Sequence, residues 1–293
     1  MPEGDTVFRT AARLHEALAG QVLTVADLRW PSLATVELRG MRTEAVVSRG
    51  KHLLHRLDSG LTVHSHLRME GQWRIVGSAR LDARTLADRQ LRAVLGGQLW
   101  TALGLRLGML DIVATADEGV VVGHLGPDLL GADWSTPLAV QRLIAGSGGS
   151  TDGADAPPGA RGGTLGAALL DQRNLAGIGT MYAAETLFLQ RLGPWTAVSE
   201  LSPEQLTMVV ERARRLLVAG CRQAVQSTTG SRARGETTYV HGRSGRPCRR
   251  CGTSVRVAPI GPPGLERTMF YCPSCQGGLG PTDDGRPQRP LGA

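Results

Sequence analysis

The sequence predicts an α+β chain of two lobes. A β-rich N-terminal part of sandwich or barrel type comes first, and a helical C-terminal lobe ends in a small cysteine-bearing hairpin. Three observations carry this. Short segments that alternate or are β-branched, separated by Gly, Asp and Ser, crowd residues 22–122. Helical apolar spacing then takes over. Two Cys-x-x-Cys pairs stand close to the C-terminus, with 20 residues between them. The expected divisions are 1–126 for the sandwich, 127–235 for the helical domain, 236–276 for the hairpin and 277–293 for a disordered tail.

The elements follow in order. Asp5 to Leu18 reads as a helix: Asp5 or Thr6 can cap it, and Val7, Ala11, Leu14 and Leu18 form a stripe at helical spacing. VLTVADLRW, ATVELRG, EAVVSRG, HLLHRL, LTVHSHL and QWRIV read as strands, followed by QLWTALGLRLGML and LDIVAT. Short strands at such close spacing suggest a sandwich or barrel. TPLAVQRLIAG is a helix. The stretch 146–163 is rich in Gly, Ser, Pro and Ala with no large apolar residue, so a flexible loop is expected there. TLGAALLDQRNLAGIGTMYAAETLFLQRL carries two helical patterns joined by AGIGT, and a further helix spans about Pro203 to Gln226.

Composition narrows the functional classes. The chain has 293 residues, enough for two domains with buried cores. A net charge of +7 and a pI near 9.8 favour a polyanionic partner such as nucleic acid. The opening MPEGDTVFRT lacks the apolar run of a signal peptide, and no apolar run reaches the roughly 18 residues of a membrane span. A cytoplasmic, nucleoid-associated chain is expected, in which cysteines are metal ligands rather than disulfides.

Cys248, Cys251, Cys272 and Cys275 have the spacing of a tetrahedral structural zinc site on a two-knuckle hairpin. Each Cys-x-x-Cys turns tightly enough to offer two thiolates to one ion. Cys221 stands apart in an apolar helix and reads as a small core residue. His64 and His66 alternate on one strand and read as core or groove histidines ahead of metal ligands. Arg243, Arg246, Arg249, Arg250, Arg256 and Arg267 sit in or beside the hairpin. They suit a nucleic-acid backbone as well as they suit a solvated basic face.

Two further features stand out. Lys51, in SRGKHLL, is the only lysine among 33 basic residues. Either coding bias spared it by chance, or the position needs a compact ammonium that Arg cannot supply. Pro2 is small enough for removal of the initiator Met, which leaves an N-terminal secondary amine. Such an amine attacks an aldehyde-like carbon and gives a cationic iminium directly. The positive end of the helix beginning near Asp5, and any nearby cation, favour the neutral, attacking form. Glu3 beside it can move protons.

Taken together, MPEG, RGKHLL (Arg49 to Leu54), SHLRMEGQWRI (Ser65 to Ile75), HLGPDLL (His124 to Leu130), LLDQRNLAGIGTMYAAETLF (Leu169 to Phe188), HGRSGRPCRRCG and RTMFYCPSC stand in the order found in one family. The chain resembles the formamidopyrimidine-DNA glycosylase and endonuclease VIII family over nearly its whole length. That resemblance implies a two-lobed α+β fold, with an N-terminal β-sandwich flanked by helices, a helix–two-turn–helix motif in the helical lobe, a zinc finger, damaged DNA as partner in the cleft between lobes, and a monomer. It implies a bifunctional DNA glycosylase and abasic-site lyase of base excision repair. Pro2 would be the nucleophile on the sugar C1′, Glu3 the acid/base that opens the sugar, and Lys51 the lysine at the phosphate beside the lesion. Arg267 would grip phosphates flanking the flipped nucleotide, and the four cysteines would hold Zn2+.

Three positions depart from the family pattern. Thr180 follows Gly177-Ile-Gly179 where an asparagine phosphate contact is usual, and a threonine hydroxyl reaches less far. Thr6 stands where many members have Glu. Leu105-Arg106-Leu107 replaces the Arg-Arg-Phe loop that fills the gap left by a flipped base in the guanine-specific branch. The candidates for that task become Leu67, Arg68, Met69 and Glu70, with Met69 the apolar insert. The opening MPEGDT and the absent Arg-Arg-Phe loop place the chain nearer endonuclease VIII, with oxidised pyrimidines as expected substrates. A catalytically weak DNA-binding protein that senses abasic sites or single strands is the alternative. An RNA- or ribosome-binding zinc-ribbon protein would have no use for a free N-terminal proline.

Overall fold

Gly4–Leu18 form α1, with Val7, Ala11, Leu14 and Leu18 all buried on one face. Its N-cap residue is Glu3. The Glu3 carbonyl accepts the Thr6 and Val7 N–H groups at 3.0 and 3.1 Å, so Asp5 and Thr6 stand inside the helix rather than capping it. The computed structural model describes residues 2–147 and 163–289. Most of the expected flexible stretch, 148–162, and the last four residues of the expected tail lie outside the described residues. The chain divides into two compact units, Met1–His124 and Leu125–Ala293.

The first unit is built from eight strands: β1 Val25–Leu28, β2 Thr43–Arg49, β3 His52–Leu57, β4 Leu61–His66, β5 Gln72–Gly77, β6 Leu91–Gly96, β7 Trp100–Leu105 and β8 Met109–Ala114. They form two antiparallel four-stranded sheets, ordered β1-β6-β7-β5 and β2-β3-β4-β8. Leu28, Ala93, Leu95 and Ala102 of the first sheet share a core with Val46, Leu53 and Val63 of the second. Val7, Leu14 and Leu18 of α1 complete that core. The short helices α2, Ala83–Leu86, and α3, Gly119–Val122, sit in the connections.

Two strand readings differ from the structure. ATVELRG is irregular: Pro31 starts a single helical turn just before it, and its alternation reduces to one buried anchor, Leu38, between turn residues. β6 is an almost continuously buried strand inside its sheet, and LRAVLG gives no periodicity to read. QLWTALGLRLGML contains β7 and the start of β8, split by a turn in which Arg106 takes φ +48°.

The second unit contains α4 Thr136–Ser147, α5 Leu165–Leu170, α6 Thr180–Gln190, α7 Pro203–Cys221, and the hairpin β9 Arg256–Ile260 with β10 Arg267–Tyr271. Ser202 and Gln205 close a reciprocal capping box at the start of α7. α6 is buried from Thr180 to Phe188 and forms the axis of this core. Among the described residues, no helix is long and apolar enough to cross a membrane.

Residues 277–289, expected to be disordered, are ordered against the hairpin. The buried Asp283 carboxylate takes the Arg256 guanidinium and the Tyr271 hydroxyl. Gln288 bonds both the N–H and the C=O of Val257, at 2.8 Å each, as a neighbouring strand would. Gly, Pro and Asp composition concealed this because two side chains, rather than an apolar face, hold the segment down.

Candidate functional site

Pro2 is half-buried and lies directly before Glu3, whose side chain is almost wholly enclosed. Both therefore stand at the positive end of the 15-residue helix α1. Lys51 occupies the two-residue turn between β2 and β3, after Gly50 at φ +58°. That left-handed conformation suits glycine and lets the turn be so short.

Lys51 leads into a group of four imidazoles. His52 pairs with His66 across β3 and β4. Its ring meets that of His66 edge-on at 4.9 Å, stacks on His64 at 5.1 Å and lies 6.1 Å from His124. His52 Nδ1 and His64 Nε2 share a hydrogen bond of 2.8 Å. Burial, reinforced by the neighbouring histidines and Arg68, lowers His52 to about 3. Burial, with Arg68, Lys51 and His64 close by, lowers His66 to about 4. Burial also lowers His64, although Asp111 opposes it. His52 and His66 are thus neutral at physiological pH. His64, read from the sequence as a core or groove histidine, is 1% exposed.

β4 ends at His66, and the turn Leu67–Gly71 carries Arg68, Met69 and Glu70. Leu67 is buried, whereas Met69 is 65% exposed. The facing turn between β7 and β8 carries Arg106, which pairs with Glu70 at 3.2 Å. Leu105 and Leu107 on either side are buried in the unit's core. Arg68 and Arg106 hold left-handed φ values of +55° and +48°, a strained conformation for non-glycine residues that concentrates at functional sites.

In the second unit Thr180 is the first residue of α6, after Gly179 at the N-cap, and is only 9% exposed. The turn before it is organised by Gln172. Its amide donates to the carbonyls of Leu170 and Ile178, and its oxygen accepts the Gly177 N–H. Gly177 at φ +97° permits the second bend. HLGPDLL backs this turn through Gly126 N–H to Gln172 O, Ala176 N–H to Pro127 O and Leu129 N–H to Ala176 O.

Sequence reasoning missed Glu185. This fully buried carboxylate on α6 accepts the backbone N–H groups of Tyr239, Val240 and His241 at 2.7–2.9 Å, and the Thr228 hydroxyl. Burial raises its carboxyl despite these donors. A single acid in the otherwise apolar TMYAAETLF was the available signal, because a buried charge demands partners. The segment it holds lines a cavity of about 430 Å³ whose walls include Gln226, Thr237, Thr238, His241, Arg243 and Arg246.

The Sγ atoms of Cys248, Cys251, Cys272 and Cys275 all lie within 4.8 Å of one another. Cys251 and Cys272 are 3.5 Å apart. A tetrahedron with Zn–S bonds of about 2.3 Å has S–S edges of about 3.8 Å, so the four cysteines are positioned to bind a metal ion of this size. Arg267 starts β10 opposite Ile260 and is exposed at the end of the hairpin away from the cysteines.

Residues 1–109 match the family model of the formamidopyrimidine-DNA glycosylase N-terminal domain, and residues 160–232 match that of its H2TH domain. The probable endonuclease 8 2 of Streptomyces coelicolor is 49% identical over 286 residues, 98% of each chain. The DNA-(apurinic or apyrimidinic site) lyase Nei2 of Mycolicibacterium smegmatis is 41% identical over 94% of this chain and 99% of its own. The crystal structure of Lactococcus lactis formamidopyrimidine DNA glycosylase, non-covalently bound to DNA with an abasic site, superposes with a TM-score of 0.73. It covers 94% of this chain and 99% of its own at 20% identity, which speaks for the fold alone. The full-length match to endonuclease 8 proteins and both domain matches agree: this chain belongs to the formamidopyrimidine-DNA glycosylase and endonuclease VIII family, on its actinobacterial endonuclease 8 branch.

Proposed function

We propose that this chain is a bifunctional DNA glycosylase and abasic-site lyase of base excision repair that removes oxidised bases, with pyrimidines favoured. The observation that carries the reading is the near-complete, 49% identical match to an endonuclease 8 protein. The placement of Pro2 and Glu3 at the head of α1 supports it.

Removal of Met1 frees the Pro2 amine. The damaged nucleotide must leave the stack before that amine can reach it. The amine nitrogen bonds to C1′ as the C1′–base bond breaks, and the base leaves with a proton. Glu3 donates a proton to the sugar ring oxygen as the ring opens and the iminium forms. The iminium acidifies the C2′ hydrogens. Loss of one C2′ proton and departure of the 3′ phosphate cut the strand. Lys51 neutralises the phosphate beside the lesion as a compact ammonium, and a cation close to the Pro2 amine favours its neutral form.

Damaged DNA is the partner, held by Thr180 and Arg267 through phosphates, while Arg68 and Met69 occupy the gap left by the extruded nucleotide. Zn2+ is the metal that Cys248, Cys251, Cys272 and Cys275 would hold, and it supplies the cross-link that fixes the base of the hairpin. The chain acts as a monomer at the nucleoid.

Leu105 and Leu107 are core residues, which supports reading this triplet as a departure from the Arg-Arg-Phe loop of the guanine-directed enzymes. The test is incubation with single- and double-stranded oligonucleotides bearing abasic, thymine glycol, dihydrouracil, uracil or 8-oxoguanine sites. Nicking at abasic sites with faster release of oxidised pyrimidines than of 8-oxoguanine opposite cytosine is expected. A clear preference for 8-oxoguanine overturns the substrate assignment. Binding without any nicking favours the non-catalytic alternative.

A further inference from the structure

The turn Leu67–Gly71 is held from three sides. Leu67 is anchored in the core, and Gly71 closes the turn by donating to the Leu67 carbonyl at 2.8 Å. Across the turn, a Cβ on Gly108 would strike the Arg68 side-chain stem, so glycine at 108 makes room for Arg68. Gly108 also donates to the His66 carbonyl at 3.1 Å. The third hold is a side chain: His66 Nδ1 accepts the backbone N–H of Arg68 at 2.9 Å. Arg68 is the residue at φ +55°, and the next residue is the exposed Met69. A local side chain-to-backbone bond of this kind can fix a conformation that the backbone alone disfavours.

We propose that His66 is a positioning residue whose Nδ1 locks the left-handed Arg68 and so aims Met69 into the gap left by an extruded nucleotide. The inference rests on the reading of Met69 as the gap-filling side chain. The lock requires an unprotonated Nδ1, since a backbone N–H can only donate. The surroundings meet that requirement. His52 packs edge-on against the ring, His52 itself is tied to His64, and burial with Arg68, Lys51 and His64 nearby lowers the His66 imidazolium to about 4. The edge contact of His52, itself tied to His64, thus braces the His66 ring beside the turn.

The experiment uses the full chain with Met69→Ala, His66→Phe, His66→Asn, His66→Gln and the double variant His66→Phe/Met69→Ala. Phe keeps the ring edge on His52 but has no acceptor. Asn places its Oδ1 near the position of Nδ1, while Gln places its oxygen near Nε2. Single-turnover excision is measured on a damaged duplex, and insertion is read from 2-aminopurine fluorescence opposite an uncleavable abasic analogue.

His66→Phe is expected to excise about tenfold more slowly and to lose the insertion signal, with affinity for undamaged duplex within about twofold. His66→Asn should recover most of the loss and His66→Gln little. Met69→Ala should add nothing to His66→Phe, because both remove one action. If Met69→Ala alone leaves insertion and excision intact, the reading of Met69 fails and takes the inference with it. If Met69→Ala is impaired but His66→Phe is not, the inference alone fails. It also fails if the two losses multiply, or if Gln rescues better than Asn, since either would mean that the imidazole acts on DNA directly.

Discussion

Glu185 on α6 accepts the N–H of Val240 at 2.8 Å, and the same carboxylate gathers the flanking N–H groups of Tyr239 and His241. One side chain therefore fixes the segment that leads from the cavity-lining residues into the metal hairpin. Glu185→Ala leaves three backbone donors, that of Val240 buried, without their acceptor, a loss of about 2–5 kcal/mol. The expected outcome is a fall in the thermal midpoint of the second unit on the order of 5–10 °C. Glu185→Gln, which keeps one acceptor oxygen, should fall by less. Calorimetry on the full chain checks both, and an unchanged Glu185→Ala midpoint would show that the carboxylate holds nothing.

Asp283 reaches back from the C-terminal segment to Arg256 and Tyr271 on the two strands of the hairpin. Asp283→Asn removes the charge partner of a guanidinium that is 8% exposed, a loss of about 1.5–3 kcal/mol. A metal ion held by the four cysteines should then be released at lower chelator concentration, because the segment and the metal brace the same small hairpin. Metal retention measured with a colorimetric chelator gives the answer. Equal release from parent and variant would mean that the segment merely rests on the hairpin.

The imidazoles of the first unit give it a pH dependence. Burial lowers His55 to about 4, and His52 and His66 lie at about 3 and 4, against about 6.5 in the unfolded chain. Folded values below unfolded ones mean that the unfolded state takes up protons first. The stability is fully present above pH 6.5 and is lost as pH falls from there towards 4. The thermal midpoint of this unit should therefore drop between pH 7 and pH 5. His55→Gln, which removes a fully buried member bonded to Thr43, should flatten the slope. A midpoint constant over that interval would contradict neutral burial of the cluster.

How much of this was legible in the sequence follows from what each signal depends on. α1 was readable because its apolar positions repeat at helical spacing, α6 because a long apolar run stands between Gly179 and Gly193, and the cysteine pairs because a metal site fixes spacing in the chain itself. The family motifs brought Pro2, Glu3 and Lys51 together as candidates. The roles of Glu185, Gln172, Asp283 and His66 were hidden. Glu185 and Asp283 act on groups brought near by folding, Glu185 across more than fifty residues of chain to Val240, whereas the bonds of Gln172 and His66 are local but depend on turn geometry that residue types alone do not reveal. β6 was hidden for the opposite reason: a strand buried on both faces has no alternation to detect.

Lys51 stands at a two-residue turn beside the neutral histidines. Lys51→Arg keeps the charge, so affinity should fall only modestly. Base excision should slow by at least about tenfold, equivalent to ~1.4 kcal/mol of transition-state stabilisation. Lys51→Ala should lose more. Single-turnover kinetics, with binding measured separately at two salt concentrations, separates the two effects. Excision by Lys51→Arg within about twofold of the parent would reduce this lysine to a remnant of coding bias.

The central claim is that the N-terminal proline is the covalent nucleophile, and borohydride trapping tests it most directly. Borohydride reduces an iminium to a stable amine, so incubation with DNA carrying an abasic site should give one covalent protein–DNA adduct. Peptide mapping should place the DNA on residue 2 of the chain lacking Met1, and a form that retains Met1 should not trap. An adduct on any other residue, or undiminished trapping by the Met1-retaining form, would contradict the account.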